Sequence, residues 1–448
     1  MYKQLKTTVS KNGNIQKLSR IFQPFNVIPM ESQTKQKEKE IHSKSSKLML
    51  ELGIIKQSSP GCFNLLPLGI RALEKLTRIA DEEMQSIGGQ KVEFPTLINE
   101  KLWTLSGRVN EVKELFKLKD RHAHSYILGP THEEIACELL SQSQHSYKDF
   151  PLILYQITNK FRDELKPRLG LIRSKQFCMK DMYSFDIDYE KAMETYSIVS
   201  DSYENFFNIL GIEFHKVKGA AGVMGGSLSH EYHFSAEIGE DTLVRCSHCN
   251  HFTNVELVEE NICPICKEKN QLIKSKGIEV GHTFFLGDRY SKPFNANFIN
   301  KTGKNINLQM CCFGLGLTRI LAASIETLST DQEIRWPKPI APYSVLIIPP
   351  KAGSKEEPIA NSLLERLYHS LDNIQHVKKD ILVDDRTDLT IGRRNIQGKK
   401  MGYPFIIVLG NRIKEDPVLF ELHDVNGGIQ VDLAFEDLLT YINEAYNK

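Results

Sequence analysis

Apolar residues recur at three- and four-residue spacing between residues 68 and 87, and this pattern predicts an amphipathic helix that ends at the Gly88–Gly89 pair. Runs of strand length follow in YILGP, FPLILYQITNKF, IRSKQFCMKDMYSF and LQMCCFGLGL. Helical patterns separate these runs irregularly. The order therefore favours an α+β domain around a largely antiparallel sheet.

The pattern changes at the proline-rich sequence WPKPIAPYS, near residue 341. Beyond it, the apolar runs SVLIIPP, ILVDD and PFIIVLG alternate with helical patterns. This alternation predicts a βαβαβ arrangement in which helices cover both faces of the sheet. We therefore expect one domain over residues 47–340 and a separate α/β domain over 341–448.

The first 30 residues are basic, contain several Ser and Thr, and lack Asp and Glu. This composition is typical of organellar transit peptides, although a merely unstructured basic terminus is the alternative. Residues 31–46 are charged and poor in apolar residues, as linkers are. Residues 1–46 are accordingly predicted to be a transit peptide followed by a linker.

The overall composition narrows the class of protein without indicating a partner. Hydrophobic residues make up 41% and charged residues 25%, which excludes wholesale disorder. Apolar runs fall short of the ~20 residues that a membrane-spanning helix needs, so no membrane partner is expected. A formal net charge of +1 neither requires nor excludes a nucleic-acid partner.

An arginine-rich segment, TNKFRDELKPRLGLIRSKQF, carries Arg162, Arg168 and Arg173 interleaved with Glu164. Because the guanidinium fork matches phosphate geometry, two arginines on adjoining strands beside a carboxylate would clamp a nucleotide. A solvated cationic hairpin is the alternative. Further on, FGLGLTRI places Arg319 at the start of an apolar helix after a glycine-rich strand end, where phosphate can approach the backbone.

The sequence GPTHEE places Thr131 and Glu133 two residues apart after a strand-like run, so both are expected to point to one face. A hydroxyl and a carboxylate side by side suit an ammonium group. The alternative is an ordinary helix start with acidic residues in its first turn.

Four of the nine cysteines form two CxxC pairs within residues 240–275. Their C-x2-C-x13-C-x2-C spacing suits tetrahedral structural zinc in a small ribbon. A ribbon without metal is the alternative. The predicted ligands are Cys246, Cys249, Cys263 and Cys266.

Several of these segments resemble the three signature motifs of class II aminoacyl-tRNA synthetases. The helix that ends at GG before VEFP is similar to motif 1, TNKFRDE to motif 2 and GLGLTR to motif 3. More narrowly, GCFNLLPLG, GPTHEE, MKDMYSF, GGSLSHEY, GIEVGHTFFLG and DDRTDLTIG resemble prolyl-tRNA synthetases of the bacterial and mitochondrial kind. The resemblance extends over residues 47–448.

The resemblance implies ATP- and Mg²⁺-dependent activation of L-proline to prolyl-adenylate, followed by transfer to tRNA(Pro). It places Arg162 at the α-phosphate and the proline carboxylate, Glu164 at the adenine amino group, Arg173 at the distal phosphates and Arg319 at the γ-phosphate. Thr131 and Glu133 would bind the ring amine. His282 is a pocket candidate or a core histidine, and Phe177, Met179 and Cys312 are candidate walls.

One position departs from the family pattern. The family usually has glycine where Cys311 stands before Cys312, so an additional side chain is expected near the pocket.

The resemblance also covers the C-terminal domain, which is similar to an anticodon-binding domain. A basic rim for single-stranded bases is expected there, or else a solvated face. Its candidates are Arg386, Arg393 and Lys399, with neighbours Asp384, Asp385, Arg394 and Lys400.

Members of this class pair through motif 1, so the resemblance implies a homodimer through residues 68–87. The basic terminus and the resemblance together predict a location in the mitochondrial matrix, with the cytoplasm as the alternative.

Three alternative functions stay open at this point. They are a sister class II enzyme such as a threonyl or glycyl synthetase, a non-catalytic synthetase-like accessory protein, and a zinc-ribbon RNA-binding module.

Overall fold

The fold comes from a computed structural model that describes residues 15–24, 43–220, 222–258, 261–269 and 271–447. Two compact units are present. The larger extends over Phe25–Ser329, and the smaller joins residues up to Pro24 with Thr330–Lys448. Of the predicted transit and linker segment 1–46, only residues 15–24 and 43–46 lie within the described part of the chain.

The larger unit combines helices with several sheets. Its helices are α1 (Lys44–Glu51), α2 (Pro67–Ser86), α3 (Glu100–Leu105), α4 (Glu133–Ser141), α5 (Tyr189–Leu210) and α6 (Leu317–Leu328). Its strands are β1 (Ile55–Ser59), β2 (Cys62–Leu65), β3 (Gln90–Lys91), β4 (Leu97–Asn99), β5 (Lys117–Lys119), β6 (Ser125–Leu128), β7 (Leu152–Phe161), β8 (Gln176–Asp186), β9 (His215–Lys218), β10 (Leu228–Ser235), β11 (Asp241–Cys246), β12 (Phe252–Asn254), β13 (Leu272–Gly287), β14 (Asn297–Ile299), β15 (Asn305–Asn307) and β16 (Gln309–Leu315).

The central sheet of this unit has the strand order β10-β9-β12-β11-β13-β16-β8-β7-β3. Neighbouring strands run antiparallel, apart from the parallel pairs β12–β9 and β3–β7. The predicted α+β class with a largely antiparallel sheet is therefore confirmed. The four predicted strand-like runs correspond to β6, β7, β8 and β16.

Helices α2, α5 and α6 lie on one face of the central sheet. Helix α2 confirms the predicted periodicity, with Pro67 in its first turn and Gly88 at a φ of +81° just beyond its end. Its buried residues include Leu73, Leu76 and Met84, and the helices that it packs against are α5 and α6. The apolar face of α2 is thus occupied within the chain.

The opposite face of the sheet carries a second layer formed by α3, α4 and the three-stranded sheet β4-β6-β5. Buried residues such as Trp103, Ile127, Leu140 and Tyr183 join this layer to the central strands. Burial of this apolar cluster fixes the entry to α4 above the middle of the sheet.

The smaller unit is an α/β domain. Its elements are β17 (Val345–Ile348), α7 (Glu357–Asp372), β18 (Ile381–Val383), α8 (Ile391–Met401), β19 (Phe405–Val408), β20 (Leu419–Asp424), β21 (Ile429–Ala434) and α9 (Phe435–Asn447). The sheet order is β18-β17-β19-β20-β21, and β17 pairs parallel with both β18 and β19. The predicted βαβαβ core is present, and the antiparallel hairpin β20–β21 extends it.

Residues 15–24 lie on this smaller unit. Lys17 forms a parallel bridge with Val383 of β18, which is the edge strand of the sheet. A short 3-10 helix follows over Leu18–Arg20. Within the described residues, no helix combines the length and apolar character that crossing a membrane would require.

Candidate active site

A cavity of about 270 Å³ lies over the middle of the central sheet. It brings together all the residues predicted to bind small molecules except Arg173, which lies in an adjoining depression with Glu164 and Arg319. The lining residues predicted from sequence are Thr131, Glu133, Arg162, Glu164, Phe177, Met179, His282, Cys312 and Arg319.

The register of the sheet makes room for this cavity. His282 on β13 lies opposite Gly314 on β16, and Gly314 lies opposite Asp181 on β8. Because Gly314 has no side chain, the row leaves open space between a histidine and a carboxylate. These positions lie far apart in the chain, so their alignment is a property of strand pairing.

Arg319 lines both the cavity and the adjoining depression, and the charges of Arg319 and Arg162 act on each other at this end of the cavity. Burial, and then the positive charge of Arg319, lower the pKa of Arg162 from its usual value. The guanidinium of Arg162 also lies 5.1 Å from the ring centroid of Phe177. Two cations held this close favour binding of an anion between them.

Arg319 lies in the first turn of α6 and is fixed by two backbone carbonyls outside that helix. Its Nε donates to the Ile172 carbonyl at 2.8 Å and its Nη1 to the Glu279 carbonyl at 3.1 Å. Burial raises the pKa of Glu279, but the hydrogen bond and charge of His282, with the charge of Arg319, outweigh it and keep that pKa well below its usual value. Glu279 is therefore ionised. Sequence analysis had not assigned it a role, although it lies inside GIEVGH.

Arg162 lies directly after β7, and Arg173 lies in the connection to β8 rather than on a strand. The expectation of two arginines on adjoining strands was wrong, because β7 ends before Arg162 and β8 begins after Arg173. Arg173 donates to Glu164 at 2.9 Å and to Glu240 at 2.6 Å. Glu240 carried no motif that could have indicated this contact.

Thr131 and Glu133 meet by a different local structure from the one predicted. Strand β6 ends at Leu128 and α4 begins at Glu133, so the two residues meet at a helix start with an acidic first turn, as in the alternative, but without a side-chain cap. The Thr131 hydroxyl nevertheless donates to the Glu133 carboxylate, and both side chains line the cavity. Thr131 and Glu133 therefore belong both to the start of α4 and to the wall of the cavity.

Arg108 holds this carboxylate in place and was missed by sequence analysis. Its Nη1 donates to Glu133 at 3.0 Å and to Glu134 at 3.1 Å, and its guanidinium lies 4.5 Å from the centroid of the Trp103 ring. Burial, and then the charge of Glu133, raise the pKa of Glu134 despite the opposing charge of Arg108. A lone arginine in SGRVN offers no recognisable signal.

A second buried network supports the floor of the cavity. Lys160 forms an ion pair with Asp181 at 2.7 Å, and the Tyr183 hydroxyl donates to Asp181 at 2.7 Å. The amide of His132 in turn donates to the Tyr183 oxygen at 2.7 Å. Burial and the charge of Lys160 lower the pKa of His132 to about 4, so its ring is neutral at pH 7. The network ties the start of α4 to β7 and β8.

His282 uses both ring nitrogens within the protein. Nε2 lies 2.5 Å from the Ser229 hydroxyl and Nδ1 lies 2.7 Å from the Glu279 carboxylate. The ring also stacks on Phe284 with centroids 3.8 Å apart. His282 is therefore a cavity-lining residue that orients Glu279.

The two adjacent cysteines on β16 face opposite sides of the sheet. Cys312 lines the cavity, and burial raises the pKa of its thiol well above the usual value. The sulfur of Cys311 lies 3.8 Å from the Ala192 carbonyl on α5. The expectation that Cys311 adds a side chain near the pocket was wrong, because strand alternation turns it towards the helices.

The four predicted zinc ligands come together at the end of β11. Their ligand atoms all lie within 4.8 Å of one another. The Cys246–Cys266 and Cys249–Cys263 sulfur distances are both 3.6 Å. A tetrahedron with Zn–S bonds of ~2.3 Å has edges of about 3.8 Å, so the thiol arrangement fits that ion.

The predicted anticodon residues differ in their surroundings. Arg386 donates to the Asp384 carboxylate at 2.8 and 2.6 Å, whereas Arg393 is exposed on α8 and Lys399 is half-buried. Arg394 is fully buried and donates to two backbone carbonyls. Arg394 therefore stabilises the fold of the domain and is not part of an exposed basic rim.

Family models match both units of the chain. The model described as tRNA synthetase class II core domain (G, H, P, S and T) matches residues 116–328. The anticodon binding domain model matches residues 344–445. The predicted C-terminal domain type is thus confirmed.

Solved structures of prolyl-tRNA synthetases share the fold. The Giardia lamblia enzyme in complex with prolyl-adenylate has a TM-score of 0.75 at 18% identity, covering 90% of this chain and 79% of its own. The Cryptosporidium parvum enzyme with halofuginone and AMPPNP has a TM-score of 0.74 at 17% identity, covering 90% and 76%.

Curated relatives are considerably more similar in sequence. A human protein named "Probable proline–tRNA ligase, mitochondrial" is 48% identical over 94% of this chain and 90% of its own length. A Schizosaccharomyces pombe protein of the same name is 37% identical over 84% and 87%. With the motifs and both family models in agreement, the chain belongs to the proline–tRNA ligase family of class II aminoacyl-tRNA synthetases.

Proposed function

We propose that this protein activates L-proline with ATP to form prolyl-adenylate and transfers the prolyl group to tRNA(Pro). The observation that carries the proposal is the polarity of one cavity. Thr131 and Glu133 provide an acceptor pair at one end, and Arg162 and Arg319 provide fixed cations at the other. The ring ammonium of proline would face the acceptor pair, and the proline carboxylate and the α-phosphate of ATP would face the arginines.

The amine end is suited to a ring nitrogen with two N–H donors. The Glu133 carboxylate and the Thr131 hydroxyl lie together, and Glu133 and Glu134 share the Nη1 of Arg108. A bound secondary ammonium would add a further positive charge beside Glu133. Such charge-assisted hydrogen bonds contribute about 1.5–3 kcal/mol each.

The arginine end accounts for the chemistry without a general base. The proline carboxylate is already ionised at pH 7, so alignment and neutralisation of phosphate charge are the main requirements. Arg162 would contact the proline carboxylate and the α-phosphate, and Arg319 the γ-phosphate. Arg173 and Glu164, now paired with each other, would exchange partners for the distal phosphates and the adenine.

Mg²⁺ is the expected companion of ATP here, and it would neutralise phosphate charge. The carboxylates Glu164, Glu240, Asp241 and Glu279 line the depression beside Arg319. Hard oxygen ligands of this kind, used one or two at a time, are what Mg²⁺ takes alongside phosphates. The donor set therefore fits the ion.

Two adjacent carboxylates provide a matched test of the amine end. Glu133→Gln should raise KM for proline by at least ~30-fold with KM for ATP little changed, because it removes the charge that faces the ring amine. Glu134→Gln should change KM for proline less than about threefold, since Glu134 bonds Ser106 and Arg108 rather than the cavity. Steady-state pyrophosphate exchange measures both. Equal effects from the two variants would contradict the assignment.

The proposed reaction itself is tested by pyrophosphate exchange with each of the twenty amino acids. We expect exchange with proline at a rate far above that with any other amino acid. Exchange driven by threonine or glycine would instead indicate a sister synthetase. Absence of exchange with every amino acid would indicate an accessory protein, a reading that the four clamp residues Arg162, Glu164, Arg173 and Arg319 already disfavour.

We further propose that the CxxC pairs hold structural Zn²⁺. The four thiols form a soft ligand set whose spacing suits a tetrahedral ion. Bound zinc would join the two CxxC turns.

Metal analysis of purified protein should give about one zinc per chain. Cys263→Ser should lower this content and the melting temperature, because a tetrahedral site loses one ligand. Cys62→Ser, at a half-buried cysteine on β2, is the matched control and should retain the metal. Zinc content unchanged in Cys263→Ser would refute the site.

The remaining proposals concern assembly and location. A homodimer through α2 would use its outer surface, where Ile70 is exposed, because the apolar face already packs within the chain. Light scattering of the purified protein should give twice the chain mass.

The named mitochondrial relatives and the acid-free terminus support a location in the mitochondrial matrix, which protease protection in isolated mitochondria would test.

A further inference from the structure

The N-terminal segment 15–24 is anchored to the C-terminal unit at both of its ends. The Gln16 carbonyl accepts from the Val383 amide at 2.9 Å, and Ser19 donates to Asp385 from its amide at 3.0 Å and its hydroxyl at 2.7 Å. At the other end, the Gln23 side-chain amide lies 3.0 Å from the Met401 sulfur. Ile15 packs against the apolar core of the unit.

In the sequence, two of the residues that anchor the segment, Asp385 and Met401, lie on either side of the predicted anticodon-binding residues. The stretch between Asp385 and Met401 contains Arg386, Arg393 and Lys399. Segment 15–24 is therefore tied to both ends of the chain region that is expected to face RNA.

The outward side of the segment has the composition of a single-strand RNA surface. Lys17, Arg20 and Phe22 are exposed, and Phe22 has 68% of its surface accessible. The segment contains no acidic residue. Exposed aromatic rings beside cations bind unpaired bases by stacking, while the cations neutralise phosphates.

We propose that residues 15–24 form an added RNA-binding element of the C-terminal unit, in which Lys17 and Arg20 contact phosphates and Phe22 stacks on an unpaired base of the anticodon arm. This inference rests on the proposed function and deepens it. The mature enzyme must then keep this segment, so any processing of the terminus occurs before residue 15.

The same contacts disfavour a protein partner that adds a strand at this place. Edge strands recruit partners through unpaired backbone groups, and the Val383 amide of β18 is already bonded to Gln16. The side chains of the segment that remain exposed include Lys17, Arg20 and Phe22, and this set suits a polyanion better than an added β-strand.

The test compares full-length variants in tRNA aminoacylation. The combined substitution of Lys17, Arg20 and Phe22 by Ala should raise KM for tRNA(Pro) at least about tenfold, because it removes one stacked base and two phosphate contacts. Proline-dependent pyrophosphate exchange should be unchanged. Lys378→Ala is the matched control and should leave KM for tRNA unchanged. Lys378 is exposed and precedes the first residue of β18, whereas segment 15–24 contacts the last residue of that strand.

A second variant tests the docking. Ser19→Asp places a carboxylate against Asp385 and should release the segment, so it should raise KM for tRNA about as much as the triple variant. Deletion of residues 1–14 should have no such effect. Normal pyrophosphate exchange with unaltered KM for tRNA in both the triple variant and Ser19→Asp would overturn this inference alone, whereas lack of proline-dependent exchange in the unmodified protein would overturn the proposed function.

Discussion

The site depends on pairing charges that the fold removes from water. An unpaired ion in the interior costs several kcal/mol, so Arg108, Glu133 and Glu134 are stable only as a group. The same holds for Lys160 and Asp181 under the cavity floor. The network of Lys160 and Asp181 fixes the start of α4 against β7 and β8, and Arg108 fixes the two carboxylates of its first turn. Together they hold the acceptor pair that lines the cavity.

Strand pairing aligns the residues in the middle of the site. The row from His282 through Gly314 to Asp181 lies at the centre of the antiparallel sheet. A one-residue slip would turn these side chains to the helix side, where Cys311 already packs against α5. Register therefore sets the middle of the cavity wall, and the elements that carry Glu133, Arg162 and Arg319 adjoin it.

Much of this arrangement was open to prediction from sequence, and the part that was not has a common cause. Periodicity indicated α2, and family-like motifs indicated Arg162 and Arg319. Residues that act through tertiary pairing, such as Arg108 and Glu240, lie in no motif, because their partners are distant in the chain. The contacts of segment 15–24 could not be predicted for a related reason, because they depend on Val383 and Asp385, more than three hundred residues away.

The central claim is that one cavity recognises a ring amine and a phosphate at its opposite ends. Calorimetry with a non-hydrolysable prolyl-adenylate analogue, and with a second analogue in which CH₂ replaces the ring nitrogen, tests it most directly. The unmodified protein should bind the first analogue at least ~30-fold more tightly than the second, and Glu133→Gln should abolish most of this difference. Equal affinity of the unmodified protein for the two analogues would contradict the account.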